Sequence, residues 1–510
     1  MRLLTPSQAR ELDRVSMGKM GIPGEKLMAN AGICISQLAM EMVANIHDPF
    51  ILIICGKGNN GGDGFAAASI LIEKKYKVRI HTINYINELK AYSLNFYLKC
   101  ERLGIDTTYG KSLPDLSIPD LIIDALLGTG FKGELRTPLI PWVKWINSTS
   151  SKVLSVDIPS GLDGNSGLVN PIAVKAETTV TFGAPKVGML FRDGKEHLGN
   201  VITGEIGFPD LDELKLSGLN WKIFPESFAE KSLKKPKTDS HKYSAGKVLV
   251  VAGSKGMTGA AILSTYGALR SGAGLTITTA PASLDEIYER SIIEGMTLAF
   301  DDEGSGHLSI DHFDEIMDKV AWADAVVLGP GLGRENETKA LIKKLVESIH
   351  KPLVLDADGL FPFSKKMDEL NEREFPLIIT PHIGELSNLT GIEKNKIISE
   401  FPNVMTEIMH NFRYIALVKQ VPSCSFYENR AIVNSTGNPG LATGGTGDVL
   451  SGMIASFIAQ GLDLFNATSL AAFIHGKASD NLIKEKGFRG QIASDLLIQI
   501  PRVIAQYEKS

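Results

Sequence analysis

Apolar residues form short runs along the first part of the chain, and glycine-containing turns follow these runs. Residues 50–55 are six consecutive apolar residues, as in a strand buried on both faces. Further strands are predicted at 78–83, 121–124 and 153–157. The alanine-rich stretch 65–75 lies between the first two strands and favours a helix. Strands that alternate with helices predict a parallel sheet covered on both faces.

A helix start lies at the beginning of the chain. Thr5 can cap a helix, Pro6 suits the first helical position, and Gln8 can reach back to complete a capping box. The first domain is therefore predicted to begin with a helix close to Pro6.

The same pattern restarts after a segment of different composition. Residues 209–243 include the basic, proline-containing stretch 231–237. We interpret this stretch as a solvated linker, because no aromatic residues interleave with its charges as they do in single-stranded nucleic-acid sites. Further strands are predicted at 247–252, 325–328, 353–355, 377–379 and 415–418. The predicted fold class is therefore α/β, with two three-layer αβα domains of mostly parallel sheet at 1–215 and 241–510, joined by a linker at 216–240.

Composition narrows the class of protein. The 510 residues are 44% hydrophobic and 22% charged, which suits large apolar cores and excludes a disordered chain. With 53 Lys plus Arg against 58 Asp plus Glu, the net charge of −5 argues against a nucleic-acid partner. The four cysteines form no C-x-x-C pair, the N-terminus lacks a secretory pattern, and no apolar run is long enough for a membrane helix. We expect a soluble, cytoplasmic protein with reduced thiols and no membrane partner.

The turn after the first strand resembles a dinucleotide fingerprint. Residues 56–61 fit G-x-G-x-x-G between a strand and a helix, which is a Rossmann-like context. The following strand ends in 79–82 without the acid that holds a ribose hydroxyl, and this argues against an NAD-dependent dehydrogenase. The turn also contains Asn59, Asn60 and Asp63, so it can present amides and one carboxylate to a substrate or a cation.

Polar residues end three of the predicted strands of the first domain. The Asn-rich turn, Asp124 and Asp157 all belong to the carboxyl edge of the sheet, where ligands of open α/β sheets bind. Two carboxylates with an Asn amide and the hydroxyl of Ser160 are oxygen ligands for a hard cation. Either Asp taken alone is explained by a turn or a helix cap, but three such strand ends together predict a functional site.

These segments together resemble the NAD(P)HX epimerase family over about the first 210 residues. The resemblance is based on 59–64 (NNGGDG), 124–130 (DALLGTG) and 157–161 (DIPSG). It implies an isomerase that inverts C6 of a hydrated nicotinamide ring, with a carboxylate that moves the proton. Reversible loss of water and ring opening both remain open as routes.

The same resemblance implies roles for individual residues. Asp157 is the expected acid/base or substrate-orienting carboxylate, and a potassium ion is expected between Asn60, Asp124 and Ser160. The expected contacts with NAD(P)HX are Asn59, Asn60, Gly61, Gly62, Asp63, Gly128, Thr129, Gly130, Phe131, Lys132, Gly133, Glu134 and Asp157.

The strongest signal in the second domain is the glycine-rich segment 438–452. A helix is predicted at 449–460, and backbone N–H groups at a helix start make an anion site. Asp448 in the first turn is placed to take a proton from a substrate hydroxyl while the amides hold a phosphoryl group, without a Walker lysine. The alternative is a glycine turn in which Asp448 only caps the helix.

This segment resembles the Gly-Asp motif of the ribokinase-like superfamily, and other segments narrow the resemblance to the NAD(P)HX dehydratase family over about 235–505. The other segments are 241–248, 258–261, 329–333, 356–359 and 380–385. The two families occur fused, in this order, in prokaryotic bifunctional NAD(P)H-hydrate repair enzymes. The implied reaction phosphorylates the C6 hydroxyl of the S hydrate from ADP, and departure of phosphate then restores NAD(P)H and leaves AMP.

Asp448 is then the expected catalytic base, and Mg²⁺ is expected with the nucleotide. The expected NAD(P)HX contacts are Ala260, Gly331, Gly333, His382 and Asp448, and the expected nucleotide contacts are Lys419, Gln420, Val421, Pro422, Ser423, Gly445, Thr446 and Gly447. Gln420 stands where the family usually has Gly, which puts the geometry of that loop in doubt. The choice of ADP over ATP rests on the fused architecture, and the family also implies a homo-oligomer.

Two other functions remain as alternatives. A ribokinase-like small-molecule kinase with a nucleotide-binding N-terminal domain would leave a stable phosphorylated product. A nucleotide-sensing or partner-binding module would bind nucleotide without turnover, but the four acids Asp63, Asp124, Asp157 and Asp448 argue against it.

Overall fold

The computed structural model describes residues 1–89, 91–111, 113 and 117–508. The chain divides into two compact units. Arg2–Asn220 and Ser399–Pro402 form the first unit, and the second consists of Met1, Trp221–Ile398 and the residues from Asn403 onward. The boundary after Asn220 falls within the segment 216–240, which was predicted as a linker. The rest of that segment contains a strand at Asn220–Ile223 and a helix at Glu226–Ser232, which belong to the fold of the second unit.

The first unit alternates strands and helices, with two helices before the first strand. Its elements in chain order are α1 (Pro6–Gly18), α2 (Gly24–Met42), β1 (Phe50–Cys55), α3 (Asn59–Glu73), β2 (Lys77–Thr82), α4 (Ala91–Arg102), β3 (Asp106–Tyr109), β4 (Leu121–Ala125), α5 (Ile140–Ser148), β5 (Lys152–Val156), β6 (Thr178–Phe182), α6 (Gly194–Leu198) and β7 (Asn200–Gly204).

These seven strands form one parallel sheet in the order β3-β2-β1-β4-β5-β6-β7. The first six strands follow the order of Rossmann folds, whose direction of winding reverses between β1 and β4. Alternate residues of β1 enter two different cores. Ile51 and Ile53 pack in the same apolar cluster as Phe65 of α3, whereas Leu52 packs with Trp142 of α5.

The second unit is larger. Its elements in chain order are β8 (Asn220–Ile223), α7 (Glu226–Ser232), β9 (Lys247–Val251), α8 (Thr258–Arg270), β10 (Leu275–Pro281), α9 (Asp285–Ser291), β11 (Met296–Phe300), α10 (Phe313–Trp322), β12 (Ala325–Leu328), α11 (Asn336–Ser348), β13 (Leu353–Leu355), β14 (Leu377–Ile379), α12 (Ile383–Thr390), α13 (Lys394–Ser399), α14 (Phe401–Asn411), β15 (Ile415–Val418), β16 (Cys424–Tyr427), β17 (Arg430–Val433), α15 (Thr446–Ala459), α16 (Leu464–Lys486) and α17 (Ala493–Tyr507).

The sheet of the second unit has ten strands in the order β11-β10-β9-β12-β13-β14-β15-β16-β17-β8. The strands from β11 to β15 are parallel, and β16 and β17 extend the sheet as antiparallel neighbours. Helices α8, α15, α16 and α17 contribute to one continuous apolar core with the sheet. Among the described residues, no helix is long and apolar enough to cross a membrane.

Several predicted elements are confirmed, and the predicted starts of two helices are wrong: α15, predicted at 449–460, begins at Thr446. Thr5 accepts from the Gln8 N–H in the predicted capping box, and β1 has the predicted bounds. The helix predicted at 65–75 instead begins at Asn59. The glycines and asparagines of this added turn favour a loop by propensity, but it packs closely on its neighbours. An added Cβ on Gly62 would lie 2.6 Å from Met28 Cε of α2, and one on Gly64 would lie 2.8 Å from the Ala125 Cβ of β4.

Helix α15 packs backbone to backbone on α8, which fixes the position of its first turn. A Cβ added to Gly452 of α15 would lie 1.9 Å from the carbonyl oxygen of Ser264. A Cβ added to Gly267 of α8 would lie 2.3 Å from the carbonyl oxygen of Val449. Both contacts are with backbone, which cannot rotate away as a side chain can.

We predict that Gly452→Ala lowers the free energy of unfolding of the second unit by about 1–3 kcal/mol, because α15 must move away from α8. Urea unfolding followed by circular dichroism measures this change. The matched control is Gly259→Ala on α8, where an added Cβ has no heavy atom within 4 Å. Equal stability of the two variants would contradict the close helix contact.

Candidate active sites

The first unit contains a cavity of about 990 Å³ at the carboxyl edge of its sheet. Its walls include Gly56–Asn60 after β1, Ile83 and Asn84 after β2, Leu126–Phe131 after β4, and Asp157 after β5. This is the edge at which open α/β sheets bind ligands. The cavity volume is within the range of small-molecule and cofactor sites.

Asp157 is held in the cavity wall by an unusual backbone conformation and by a buried lysine. Its φ is +65°, a region that side-chain-bearing residues rarely adopt and that is found at functional sites. The Lys186 ammonium forms an ion pair with the Asp157 carboxylate, and it donates to Thr181 Oγ1 at 2.8 Å and to the Phe182 carbonyl at 3.2 Å. Lys186 is only 1% exposed, so its charge requires these partners.

Asp13 and Asp63 also line the cavity, and the pKa of each is raised. Burial raises the pKa of Asp63 well above its usual range, and the charges of Asp157 and Asp13 raise it further. Burial and the charge of Asp157 raise the pKa of Asp13 to about 6, while Lys186 acts in the opposite direction. Asp63, with its raised pKa, and the lysine-paired Asp157 therefore share one cavity, which is the pattern of an acid and a base separated by environment.

The three residues predicted to hold a cation lie around the turn after β4. Ser160 Oγ donates to Asp124 Oδ1 at 2.6 Å, and Asn60 Nδ2 donates to the Leu127 carbonyl at 2.7 Å. The Asp124 carboxylate also accepts from Ser155 Oγ and the Ser160 N–H, at 2.9 Å each. Asn60 Oδ1 is buried without a hydrogen-bond partner among the described residues. The arrangement thus leaves one amide oxygen available, whereas the Asp124 oxygens are already hydrogen-bonded.

In the second unit, Asp448 lies in the first turn of α15, directly after the glycine turn. Gly445 caps this helix with φ of +89°, which favours glycine. An added Cβ on Gly444 would meet no heavy atom within 4 Å, so the turn is open on that side. The first-turn N–H groups of α15 have no partners within the helix and can receive an anion.

Asp448 has several charged neighbours. Lys419 Nζ lies 2.5 Å from Asp356 Oδ1 and 3.8 Å from Glu385 Oε2, and Ser451 Oγ donates to Asp356 Oδ2 at 2.5 Å. Burial and the charge of Asp356 raise the pKa of Asp448 to about 7, although Lys419 lowers it. Burial alone would lower the pKa of Lys419, but the carboxylates of Asp356 and Glu385 outweigh burial and raise it. A charged lysine therefore lies beside an acid that titrates near neutral pH.

Hydrogen bonds to helix α16 fix the residues that precede the glycine turn. Asn438 Nδ2 donates to Ser479 Oγ and to Asp480 Oδ1, both at 2.9 Å, and the Gly437 N–H donates to Asp480 Oδ2 at 3.0 Å. Burial lowers the pKa of His475, also on α16, to about 4, while the backbone of Thr446 acts in the opposite direction. A neutral, buried imidazole therefore lies near the start of α15.

The second group of predicted ligands lies around the loop after β12. An added Cβ on Gly331 would lie 2.9 Å from the Ala260 Cβ, and the Gly333 N–H donates to Asp358 Oδ2 at 3.2 Å. His382 caps α12 by accepting from the Gly384 and Glu385 N–H groups through Nδ1. Its side chain is 57% exposed, so it can still reach a ligand.

Comparison with known proteins gives the same two-part division. A family model described as NAD(P)H-hydrate dehydratase matches residues 248–502, and a model described as YjeF-related protein N-terminus matches residues 24–188. The bifunctional NAD(P)H-hydrate repair enzyme Nnr of Moorella thermoacetica is 31% identical and covers 100% of this chain and 98% of its own length. The enzyme of the same name from Coxiella burnetii is 34% identical and covers 96% of each chain.

This chain belongs to the bifunctional NAD(P)H-hydrate repair enzyme family. Both domain resemblances inferred from the sequence are thereby confirmed, and the small-molecule kinase alternative is not favoured. A solved ribokinase-like superfamily protein from Enterococcus faecalis V583 has a TM-score of 0.50 and 24% identity, and covers 58% of this chain and 99% of its own. That likeness supports the ribokinase-like fold of the second unit and nothing further.

Most of the predicted epimerase contacts line the cavity of the first unit. Those that do are Asn59, Asn60, Asp63, Gly128, Thr129, Gly130, Phe131, Lys132, Glu134 and Asp157. The other three have packing or backbone contacts. An added Cβ on Gly61 would lie 1.8 Å from the Gly56 carbonyl, one on Gly62 would clash with Met28, and the Gly133 N–H donates to Asp163 at 3.3 Å. These three glycines shape the loops that the other residues use.

The predicted nucleotide residues lie on two segments that meet at Lys419. An added Cβ on Gly447 would lie 3.2 Å from Lys419 Nζ, which links the glycine turn to the loop after β15. In that loop, Gln420 Nε2 is buried without a partner among the described residues, Val421 is exposed, and Ser423 Oγ accepts from Asn434 Nδ2 at 3.3 Å. Pro422 follows Val421 in this loop. Nucleotide binding by these residues stays a prediction.

Several neighbours of the two sites were not singled out from the sequence. Asp13 lies on α1, about 144 positions before its neighbour Asp157 in the chain. Lys186 is an isolated lysine after β6, and only the folded chain shows that it is buried. Asp356 belongs to the segment 356–359 and directly follows β13, and this position at a strand end could have marked it as a site residue. Ser451 lies in the glycine-rich segment 438–452 but was given no role, and no sequence motif includes His475, which lies inside α16.

We predict that Asp448→Asn becomes more stable relative to the wild type as pH rises from 5 to 8. Between its ordinary pKa near 3.8 and its folded pKa of about 7, Asp448 keeps a proton in the folded state that the unfolded chain has lost. The wild type therefore loses up to about 1.4 kcal/mol per pH unit across that window, whereas Asn does not titrate. Urea unfolding at four pH values measures the difference, and a constant difference would contradict the raised pKa.

Proposed function

We propose that the protein repairs hydrated NADH and NADPH with two separate sites in one chain. The first unit interconverts the R and S hydrates, and the second dehydrates the S form at the expense of a nucleotide. Membership of the bifunctional repair enzyme family supports the pair of activities. The observation that carries the proposal is an acid–base pair in the cavity of the first unit together with a half-buried Asp448, of raised pKa, at the glycine turn of the second.

Epimerisation at C6 requires one group that donates a proton and one that accepts a proton, whether water leaves or the ring opens. Asp63 is suited to donate because burial raises its pKa. Asp157 is the candidate acceptor, because its carboxylate lines the same cavity and the Lys186 ammonium fixes its position. If water leaves, Asp63 protonates the departing hydroxyl, and a water that returns to the opposite face gives its proton to Asp157.

In the second unit, Asp448 takes the proton of the C6 hydroxyl while that oxygen attacks the terminal phosphorus of the nucleotide. The N–H groups at Gly445–Gly447 and the Lys419 ammonium stabilise charge on the transferred phosphoryl group. The ring nitrogen then expels phosphate from C6, and loss of a C5 proton restores the double bond of NAD(P)H. With ADP as donor the other products are AMP and phosphate. A pKa of about 7 suits Asp448 to this role at neutral pH.

A potassium ion in the first unit is a proposal supported by one orphaned atom. Asn60 Oδ1 is buried and has no hydrogen-bond partner within the described part of the chain, and amide, hydroxyl and carboxylate oxygens suit a hard cation. Asn60, Ser160 and Asp124 would hold the ion, and Asp124 would share oxygens that already accept hydrogen bonds. When bound, the ion would supply positive charge beside the loops that contact the substrate.

Magnesium in the second unit would arrive with the nucleotide. Among the described residues no group of three or more His, Cys, Asp or Glu is placed to hold a metal. Mg²⁺ usually binds one or two carboxylates plus substrate phosphates, and Asp356, Asp358 and Glu385 supply negative charge around Asp448. ADP as donor, a homo-oligomeric state and a cytoplasmic location stay predictions.

We predict that the two activities separate on mutation. Asp448→Asn removes the base of the second site and should slow dehydration by about 10²–10⁴-fold while epimerisation continues. Asp157→Asn should slow interconversion of the hydrates to a similar degree and leave nucleotide-dependent turnover of the S hydrate intact. Chromatography of the two epimers and absorbance of NADH measure the two reactions.

The matched control is Asp314→Asn at an exposed position on α10, which should leave both rates unchanged. Loss of both activities in either site variant would overturn the assignment of separate sites. An unchanged rate of interconversion in Asp157→Asn would remove that residue from the mechanism.

A further inference from the structure

Two lysines and a glutamate line the cavity of the first unit near the end of β2. Lys57 follows β1, Glu88 follows β2, and Lys111 follows β3. Lys57 Nζ lies 3.9 Å from Glu88 Oε1. Hydrogen bonds from Asn84 and Tyr85 lower the pKa of Glu88, and the charges of Lys57 and Lys111 lower it further, so both lysines act on the same carboxylate.

Local structure fixes the carboxylate of this group. Glu88 Oε2 accepts from Asn84 Nδ2 at 3.3 Å and from the Tyr85 N–H at 3.1 Å, which closes a short turn directly after β2. The carboxylate is thus held toward the cavity side on which Lys57 lies, and its position does not depend on the lysines.

The loop that contains Lys111 is fixed by a second set of contacts. Trp142 Nε1 donates to the Lys111 carbonyl at 3.0 Å, and His81 Nε2 lies 2.8 Å from the Gly110 carbonyl. The Trp142 and His81 rings stack with centroids 4.2 Å apart. These buried aromatic side chains fix the backbone at Gly110 and Lys111 at the cavity wall.

The distance along the sheet edge suits a dinucleotide. Three strand spacings separate β2 from β5 in the order β2-β1-β4-β5, about 14 Å in all. A nicotinamide ring at Asp157 after β5 would place the diphosphate at the start of α3, where helix N–H groups favour anions. The adenosine ribose of an extended dinucleotide then reaches the end of β2.

We propose that Lys57, Glu88 and Lys111 bind the 2′ position of the adenosine ribose of the hydrated dinucleotide. The two ammonium groups receive the 2′-phosphate of NADPHX, and Glu88 accepts a hydrogen bond from the 2′-hydroxyl of NADHX. This inference rests on the proposed epimerase function and adds the residues that distinguish its two substrates.

The chemistry of the two ligands explains why both charges are present. In Rossmann folds an acid near this strand end binds a ribose hydroxyl, and a cation accommodates a 2′-phosphate. Here the acid Glu88 and the cations Lys57 and Lys111 lie together, so a 2′-phosphate competes with the Glu88 carboxylate for the two lysines. The other cations that line the cavity lie on α1, after β4 and after β6 instead, and they are Arg10, Lys132, Arg136 and Lys186.

The test compares KM values for NADHX and NADPHX in the full-length protein without added nucleotide, so that only epimerisation proceeds. Lys57→Ala/Lys111→Ala should raise KM for NADPHX about tenfold, the loss expected for charge-assisted hydrogen bonds. KM for NADHX and kcat for both substrates should stay within about twofold of the wild type. Glu88→Gln, which keeps an acceptor for Asn84 and Tyr85, should lower KM for NADPHX and raise it for NADHX.

The matched control is Lys74→Ala, an exposed lysine at the opposite end of α3, which should change neither KM. Equal changes of KM for both hydrates in the lysine variant, or no change for either, would overturn the proposal. An inactive wild type would instead refute the proposed function. In that case calorimetry with adenosine 2′,5′-bisphosphate and adenosine 5′-monophosphate decides the inference, which requires that only the bisphosphate bind the lysine variant more weakly than the wild type.

Discussion

A lysine paired with a carboxylate at the edge of a parallel sheet is the interaction on which each site depends; Lys186 is buried and Lys419 is half-buried. Lys186 pairs with Asp157 in the first unit, and Lys419 pairs with Asp356 in the second. The sheets bring several acids to the same edge, where burial makes each charge costly. The lysine offsets one carboxylate in each unit, and a second acid, Asp63 or Asp448, is shifted toward its protonated form.

The same lysine–carboxylate pair beside a second acid supports proton transfer in the first unit and phosphoryl transfer in the second. In the first unit the pair lies in a cavity beside the N-terminus of α3, and a donor and an acceptor of protons are all that inversion at one carbon requires. In the second unit the lysine also lies beside Gly447, so its charge acts on the anion site at the start of α15. Phosphoryl transfer requires positioning and charge stabilisation at such a site.

The sequence was sufficient to predict features set by local pattern. The bounds of β1, the capping box at Thr5 and the place of Asp448 in a first helical turn all follow from neighbouring residues. The start of α3 did not, because glycine and asparagine propensities point to a loop, and the close approach of Gly62 to Met28 of α2 exists only in the folded chain.

Lys186 and Asp13 could not be assigned from the sequence either. Their relation to Asp157 exists only when α1 and the loop after β6 meet at the sheet edge, and no spacing in the chain encodes that contact. Asp63 shows the same limit in another form. Its position in a glycine-rich turn was readable, but the burial that raises its pKa is a property of the fold.

The most direct test of the central claim is recovery of NADH from a mixture of its R and S hydrates by the wild-type protein with Mg²⁺ and either ADP or ATP. Absorbance in the NADH band follows the reaction, and chromatography identifies the nucleotide products. The account predicts complete recovery from both epimers, with AMP and phosphate released when ADP is the donor. Recovery that stops at the S fraction would contradict the epimerase assignment, and no recovery with either nucleotide would contradict the repair function as a whole.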